Sequence, residues 1–333
     1  MENKIVLVTG ATGYIGSHVC KKLKSAGYSV VGVDRVRREH TLKHMDHFVE
    51  ADYASTECFT TLIEYGNISA VVHCAGTSLV GPSVADPAEY YTNNVAKTAM
   101  FLSVLKSLPR APIVIFSSSA AVYGAPDVEI IHEEQSWNPI SPYGQSKAMI
   151  EIMLTDHAKA YGLSAMSLRY FNACGADLDG ELGQAPGATH IIARLLESVR
   201  DNKEFTLYGT DYPTPDGTCI RDYTHVEDLA EAHMLAIQYC DSFPGQHYML
   251  NLGTGKGHSN QEVIDAVSST LELPVKINHA QRRDGDPSQL VAGRFLATAT
   301  LGWSPKHSDL ETIINSAWKW YNNPSELVDN ASK

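Results

Sequence analysis

Apolar and polar positions change rhythm along this chain. Before residue 120, four short runs are almost continuously apolar: "KIVLVTG" (4–10), "SVVGVD" (29–34), "AVVHCAG" (70–76) and "PIVIFSSS" (112–119). Runs of that length without polar alternation read as strands buried on both faces. Between them, "GSHVCKKLKSAG" (16–27) and "TAMFLSVLKSL" (98–108) space their apolar residues at helical intervals. A further strand is expected within "YGLSAMSLRYFN" (161–172). Strand and helix in alternation predict a doubly wound α/β parallel sheet, Rossmann-like in class. After residue 172 the texture becomes loop-rich, in "ACGADLDGELGQAPGATH" and "YGTDYPTPDGTCIRDY". Helices are expected around 225–240, 260–271 and 309–321. The pattern divides into a first domain over 1–172, rejoined by about 218–252, and a smaller C-terminal α/β unit in 173–333.

Composition narrows the classes. The chain has 333 residues, 44% hydrophobic and 19% charged, which is ample for a packed core. Its formal net charge is −12, from 26 Lys+Arg against 38 Asp+Glu. No basic run could track a phosphate backbone, so a nucleic-acid partner is excluded from the reading. No apolar run approaches the ~20 residues that span a bilayer, so no membrane partner is expected either. The opening "MENKIVLVTG" lacks the parts of a secretion signal. Six cysteines without a C-x-x-C pair read as reduced thiols of a cytoplasmic protein. His40, His44 and His47 cluster, but no framework of three or four placed ligands accompanies them, so no metal is expected.

Two patterns carry candidate chemistry. "VTGATGYIGSH" puts Gly10, Gly13 and Gly16 between the first strand and the first helix. Glycines there permit a tight turn and close approach of backbone N–H groups to a pyrophosphate. Asp34, at the end of the second strand, is placed to accept from the ribose hydroxyls and to repel a 2′-phosphate. Arg35, Arg37 and Arg38 would favour that phosphate, but the acid decides for NAD. The second pattern is "SPYGQSKAMIE", in which Tyr143 and Lys147 stand one helical turn apart. An ammonium beside a phenol lowers the phenol pKa and makes a proton acceptor of it. Taken alone, that spacing is equally a surface pair.

Longer motifs settle the context. "TGATGYIGSH", "HCAGTSLVGPS", "EYYTNNV", "FSSSAAVYG", "SPYGQSK", "LRYFNACGA" and "DGTCIRDYTHVEDLA" occur in that order, followed by "RRDGDPSQLVA" and "TLGWSP". Over about residues 4–320 they resemble the extended short-chain dehydrogenase/reductase family, in particular its NAD-dependent sugar-nucleotide 4-epimerases. The resemblance implies Tyr143 as catalytic base, Lys147 on the nicotinamide ribose, and Ser119 on the reacting hydroxyl. It implies a cofactor site that adds Tyr14, Ile15, Asp52, Tyr53, Ala75, Gly76, Thr77, Asn93, Ser117 and Tyr170 to the glycines and Asp34. For the UDP-sugar it implies Asn172, Thr189, His190, Ile191, Arg221, Arg283 and Asp286, with Ser119 and Tyr143 at the sugar. The first domain would then hold NAD and the second the UDP-sugar. The implied reaction interconverts UDP-galactose and UDP-glucose through a 4-keto intermediate on tightly bound NAD. The family's dimers imply a homodimer through about 84–108 and 143–161. Ser78 stands where many relatives carry Lys, Leu290 borders the sugar pocket, and Gly293 stands where relatives often have Asp.

Four alternatives remain at this level, one of them a reductase that exchanges its cofactor at each turnover. A 4-epimerase of another UDP-sugar, acting on an N-acetylhexosamine, a pentose or a uronic acid, would share these motifs. A 4,6-dehydratase needs an acid and a base near C5 and C6, where this chain has Ala120 and Ala121. A non-catalytic NAD-binding protein would have no need of Ser119, Tyr143 and Lys147 together.

Overall fold

A computed structural model describes residues 4–187, 189–282 and 286–323. The chain opens β1 (Ile5–Thr9), α1 (Tyr14–Ser25), β2 (Ser29–Asp34), α2 (Glu39–Leu42) and β3 (His47–Glu50). It continues with α3 (Thr56–Tyr65), β4 (Ile68–His73), α4 (Val80–Ala85), α5 (Pro87–Tyr90), a π-helical turn at Tyr91–Ala96 and α6 (Lys97–Ser107). Next come β5 (Ile113–Ser119), a 3₁₀ turn at Ala120–Val122, α7 (Pro142–Tyr161), β6 (Ala165–Tyr170) and β7 (Asn172–Cys174). The remainder is α8 (Ile191–Arg200), β8 (Phe205–Tyr208), β9 (Ile220–His225), α9 (Val226–Ser242), β10 (His247–Leu252), β11 (Gly257–Ser259), α10 (Asn260–Leu271), β12 (Ile277–Ala280), β13 (Gln289–Leu290), α11 (Phe295–Leu301) and α12 (Leu310–Tyr321).

Seven strands form one sheet in the order β10-β6-β5-β4-β1-β2-β3. Every pairing in it is parallel. The apolar runs explain why: with both faces covered, successive side chains feed two cores. Val6, Val8, Val72, Ile115 and Leu168 pack with Val19 and Leu23 of α1 and with Leu229 and Ile237 of α9. Leu7, Val31, Val71, Val114 and Phe116 pack on the other side with Leu62 of α3, Leu105 of α6 and Leu154 of α7. Each such side chain contributes about 1.5–3 kcal/mol on burial.

Beyond residue 172, α8, α10 and α12 pack around Leu195, Leu196, Val263, Ile313 and Trp320 into a separate core. A small sheet, β11-β9-β13 with β7 joined to β9, lies beside it. Two elements of the chain after residue 172 belong to the large sheet instead: β10 extends its edge and α9 lies on its face against α1. The structure departs from the sequence reading at "HFVE", which forms edge strand β3, and at "IRDY", which belongs to β9 and not to a loop. No helix among the described residues is long and apolar enough to cross a membrane.

Candidate active site

In a parallel sheet, ligands gather outside the carboxyl ends of strands where the chain order reverses, here between β1 and β4. A cavity of about 980 Å³ runs from that point to the small C-terminal sheet. The loop after β1 forms its floor. Gly10 has φ +68° and donates its N–H to the Val33 carbonyl at 2.8 Å. A Cβ there would lie 2.8 Å from the Ala75 amide nitrogen, so only glycine fits. Gly13 precedes α1 without a side-chain cap, which leaves the helix N-terminal N–H groups facing the cleft with Ile15 and Gly16. Tyr14 borders the cleft, but its hydroxyl turns inward and donates to the Gly175 carbonyl at 2.7 Å. The Asp34 carboxylate lines the cleft and accepts from the Thr12 and Val36 amides at 3.1 and 3.2 Å, which fixes its direction.

Asp52, Tyr53, Ala75, Gly76, Ser78 and Asn93 line the same end. Asp52 is bridged by Lys97 at 2.5 Å, an interaction the sequence reading did not foresee. Tyr53 spends its hydroxyl on the Asn93 carbonyl. Thr77 is a correction: it does not line the cavity. Its backbone N–H donates to Asn94 Oδ1 at 2.8 Å, and its hydroxyl accepts from Asn93 Nδ2 at 2.8 Å. Thr77 therefore braces the loop while its neighbours face the cleft. The π turn that carries Asn93 and Asn94 widens α6 at its start, and such turns recur at functional sites.

The Ser119, Tyr143 and Lys147 side chains converge where β5 ends. Ser141 caps α7 by accepting from the Gly144 amide at 3.2 Å, and Pro142 opens its first turn. A Cβ on Gly144 would lie 2.4 Å from the Ala121 carbonyl oxygen. That glycine lets α7 press on the 3₁₀ turn, which puts Tyr143 beside Ser119. The Ser119 hydroxyl lies close enough to the Tyr143 phenol to lower its pKa. Lys147 is buried and donates to the Ser117 carbonyl at 2.8 Å. Its ammonium lies 4.7 Å from the Phe116 ring centre and 5.7 Å from that of Tyr143. The Tyr170 hydroxyl hydrogen-bonds both Ser117 Oγ and His233 Nε2, at 2.8 and 2.5 Å, in a buried chain.

Electrostatics here differ from the sequence expectation. Burial raises the Tyr143 pKa above its usual 10; the Ser119 hydrogen bond opposes this, and Tyr90 adds to it. Burial lowers that of Lys147 to about 8, with Cys74 and Glu151 acting against the fall. The lysine alone therefore does not make a phenolate. A further positive charge has to arrive in the cleft.

At the far end, Arg221 of β9 and Asp286 approach to 3.9 Å and both line the cavity. The Asn172 amide donates to the Asp222 carbonyl at 3.0 Å, beside Arg221. Thr189, His190 and Ile191 form the rim at the start of α8. Burial lowers the His190 pKa. Arg283 lies outside the described residues. Arg194, one turn into α8, lines the cavity with its guanidinium 5.6 Å from the Phe205 ring centre. The sequence reading does not single it out. Leu290 lines the cavity. Gly293 now has an account: a Cβ would meet the His132 ring at 2.3 Å.

The donor set fits a dinucleotide: unpaired helix N-terminal amides for a pyrophosphate, a glycine cradle that a side chain would fill, and an oriented carboxylate for a ribose diol. By contrast, the acidic group Asp177, Asp179 and Glu181 is bridged by the Lys21 ammonium at 2.8, 2.8 and 3.0 Å, which takes the place of a cation.

Comparison with known proteins agrees with this geometry. The NAD dependent epimerase/dehydratase family matches residues 6–253. A UDP-glucose 4-epimerase of Azospirillum brasilense is 43% identical over 98% of this chain and 94% of its own length. The structure of the UDP-glucose 4-epimerase from Brucella ovis in complex with NAD superposes with a TM-score of 0.90 at 43% identity, covering 95% of this chain and 97% of that one. The Stenotrophomonas maltophila UDP-glucose-4-epimerase, solved with NAD and formylated UDP-arabinopyranose, gives 0.91 at 35% identity, covering 97% and 99%.

Proposed function

The chain belongs to the NAD dependent epimerase/dehydratase family, and from that premise we propose that it is a UDP-glucose 4-epimerase. It interconverts UDP-galactose and UDP-glucose by inverting C4 of the hexose. The observation that carries the reading is one cavity with two chemistries: Ser119, Tyr143 and Lys147 at the sheet's switch point, and Arg221 with Asp286 at the other end.

Bound NAD supplies a hydride acceptor and donor at C4, together with a positive ring charge near Tyr143. Gly10, the N-terminus of α1 and Asp34 hold its pyrophosphate and ribose, and Asp52 with Asn93 lies at its adenine end. Lys147, anchored on the Ser117 carbonyl, would hold its second ribose. Tyr143 removes the proton from the C4 hydroxyl, which Ser119 orients by hydrogen bonding, and returns it after inversion. Arg221 takes the diphosphate, for which a guanidinium fork is suited, and Asp286 the uridine ribose. Asn172 and the Thr189–His190–Ile191 rim close over the nucleotide. The hexose would be tethered chiefly through its diphosphate, so that the flat 4-keto sugar could present either face. Ala120 and Ala121, which line the cleft after Ser119, have no proton to give or take. That favours epimerisation over dehydration.

Exposed Val84, Met100 and Ile152 on α4, α6 and α7 support assembly as a homodimer through those helices. Six free cysteines support a cytoplasmic setting. The activity is tested by incubating the purified protein with UDP-galactose and no added cofactor, then quantifying UDP-glucose by chromatography. Conversion supports the reading and a retained cofactor. No conversion after NAD is added refutes the substrate assignment.

A further inference from the structure

Beneath the catalytic side chains, a buried ion pair joins the three elements that carry or support them. Glu151 of α7 and Arg169 of β6 are both fully buried. Arg169 donates from Nε to both Glu151 oxygens at 3.1 and 3.2 Å, and from Nη2 at 2.6 Å. Its Nη1 reaches the Tyr123 hydroxyl at 2.5 Å, and its guanidinium lies 5.0 and 4.9 Å from the ring centres of Tyr123 and Trp137. Tyr123 in turn donates to Asn251 Oδ1 at 2.7 Å, and Asn251 Nδ2 to the Ile131 carbonyl at 2.9 Å. A buried pair is weak evidence for stability, because desolvation offsets its attraction. Its reason has to be sought elsewhere.

The position of Glu151 points to that reason. It is four residues after Lys147, one turn along the same helix face. The Ser118 hydroxyl donates to Glu151, and Ser118 sits between Ser117, whose carbonyl holds Lys147, and Ser119. Glu151 thus ties α7 to β5 between the two points where the site is assembled. We propose that Glu151, held by Arg169, is a positioning residue for the reaction: it locks α7 on β5 so that Ser119, Tyr143 and Lys147 converge, and its buried negative charge sustains the Lys147 cation. The inference rests on the epimerase reading above.

The groups facing Lys147 are few. From β4 come His73 and the Cys74 thiol, from β5 the Phe116 ring and the Ser117 carbonyl, and from α7 Tyr143 and Glu151. Burial lowers the His73 pKa to about 3 and raises that of Cys74 to about 11, so both are neutral near pH 7. Among these described groups, Glu151 is the carboxylate that opposes the loss of the Lys147 proton.

The test is the pH profile of kcat for UDP-galactose conversion, measured on NAD-loaded enzyme. Glu151→Gln should move the alkaline limb down by about one pH unit, since a buried unit charge one turn away is removed. The KM for UDP-galactose should stay within about twofold, because Arg221 and Asp286 are untouched. Glu151→Asp retains the charge and should restore the limb with a lower kcat, having lost the reach to Ser118. Glu151→Gln leaves the Arg169 guanidinium without its carboxylate partner; should that variant not fold, the double variant Glu151→Gln/Arg169→Met leaves neither charge and should move the limb in the same direction by less, since the opposing field goes too. An alkaline limb that superposes on wild type in a folded Glu151→Gln or double variant overturns the proposal. A wild-type enzyme that does not convert UDP-galactose would sink the epimerase reading instead.

Discussion

Mild acid should destabilise this fold, and the size of the effect follows from its buried histidines. Six histidine rings are buried or nearly so: His18, His44, His73, His225, His233 and His247, and burial lowers the His44 pKa to about 4. His73 lies between the hydroxyls of Thr9 and Thr98, at 2.7 and 3.0 Å, and His247 between those of Thr155 and Ser167, both at 2.8 Å. Burial lowers the pKa of His18 and His233 to about 4, and that of His73, His225 and His247 to about 3. The unfolded chain therefore binds these protons below pH 6.5, while the native state does not until pH 3–4. Stability is present in full above pH 6.5 and is lost as the pH falls towards 3–4. Between pH 7.5 and 6.0 each ring costs about 0.8 kcal/mol, or about 5 kcal/mol for the six. Glu227 acts the other way. Burial first, then Asp177, raise its pKa to about 7, so the native state gains a proton that the unfolded state lacks. This returns about 1 kcal/mol over the same interval. The net loss is about 4 kcal/mol, a large share of the ~5–15 kcal/mol typical of a folded protein. Urea unfolding at the two pH values, followed by circular dichroism with NAD held at one concentration, measures it. Equal or greater stability at pH 6.0 would refute the reasoning.

Three substitutions probe the site. Gly10→Ala forces a Cβ to 2.8 Å from the Ala75 nitrogen at a positive φ, so the purified protein should lose its retained NAD, read by absorbance after denaturation. Tyr143→Phe should lower kcat by about 10²–10⁴ while calorimetric UDP affinity stays unchanged. Arg221→Met should weaken UDP binding by about 10–100-fold, the range of a lost charge-assisted hydrogen bond, with NAD retention unaffected.

Most of the large sheet was legible because parallel strands covered on both faces read as unbroken apolar runs, as in β1, β2, β4, β5 and β6. Edge strand β3, His47–Glu50, is flanked on one side only and carries a polar residue at each end, so its pattern resembles a loop. The short strands β7, β11 and β13 have two or three residues each, too few for a period to register. Within the site, helical spacing alone brought Tyr143 and Lys147 to one face. Side-chain direction was harder to read. Tyr14 and Thr77 stand in the right loops, yet their hydroxyls face Gly175 and Asn93, because those partners come from distant segments. The Tyr143 pKa also escaped the local reading, which gives the lysine neighbour but not the burial that outweighs it.

The central claim is that C4 is oxidised and then reduced within one closed site. UDP-galactose carrying deuterium at C4 tests it directly, with the product analysed by mass spectrometry and NMR. The account predicts UDP-glucose that keeps the deuterium at C4, with none appearing in solvent. Loss of the label to water, or inversion with the label at another carbon, would contradict it.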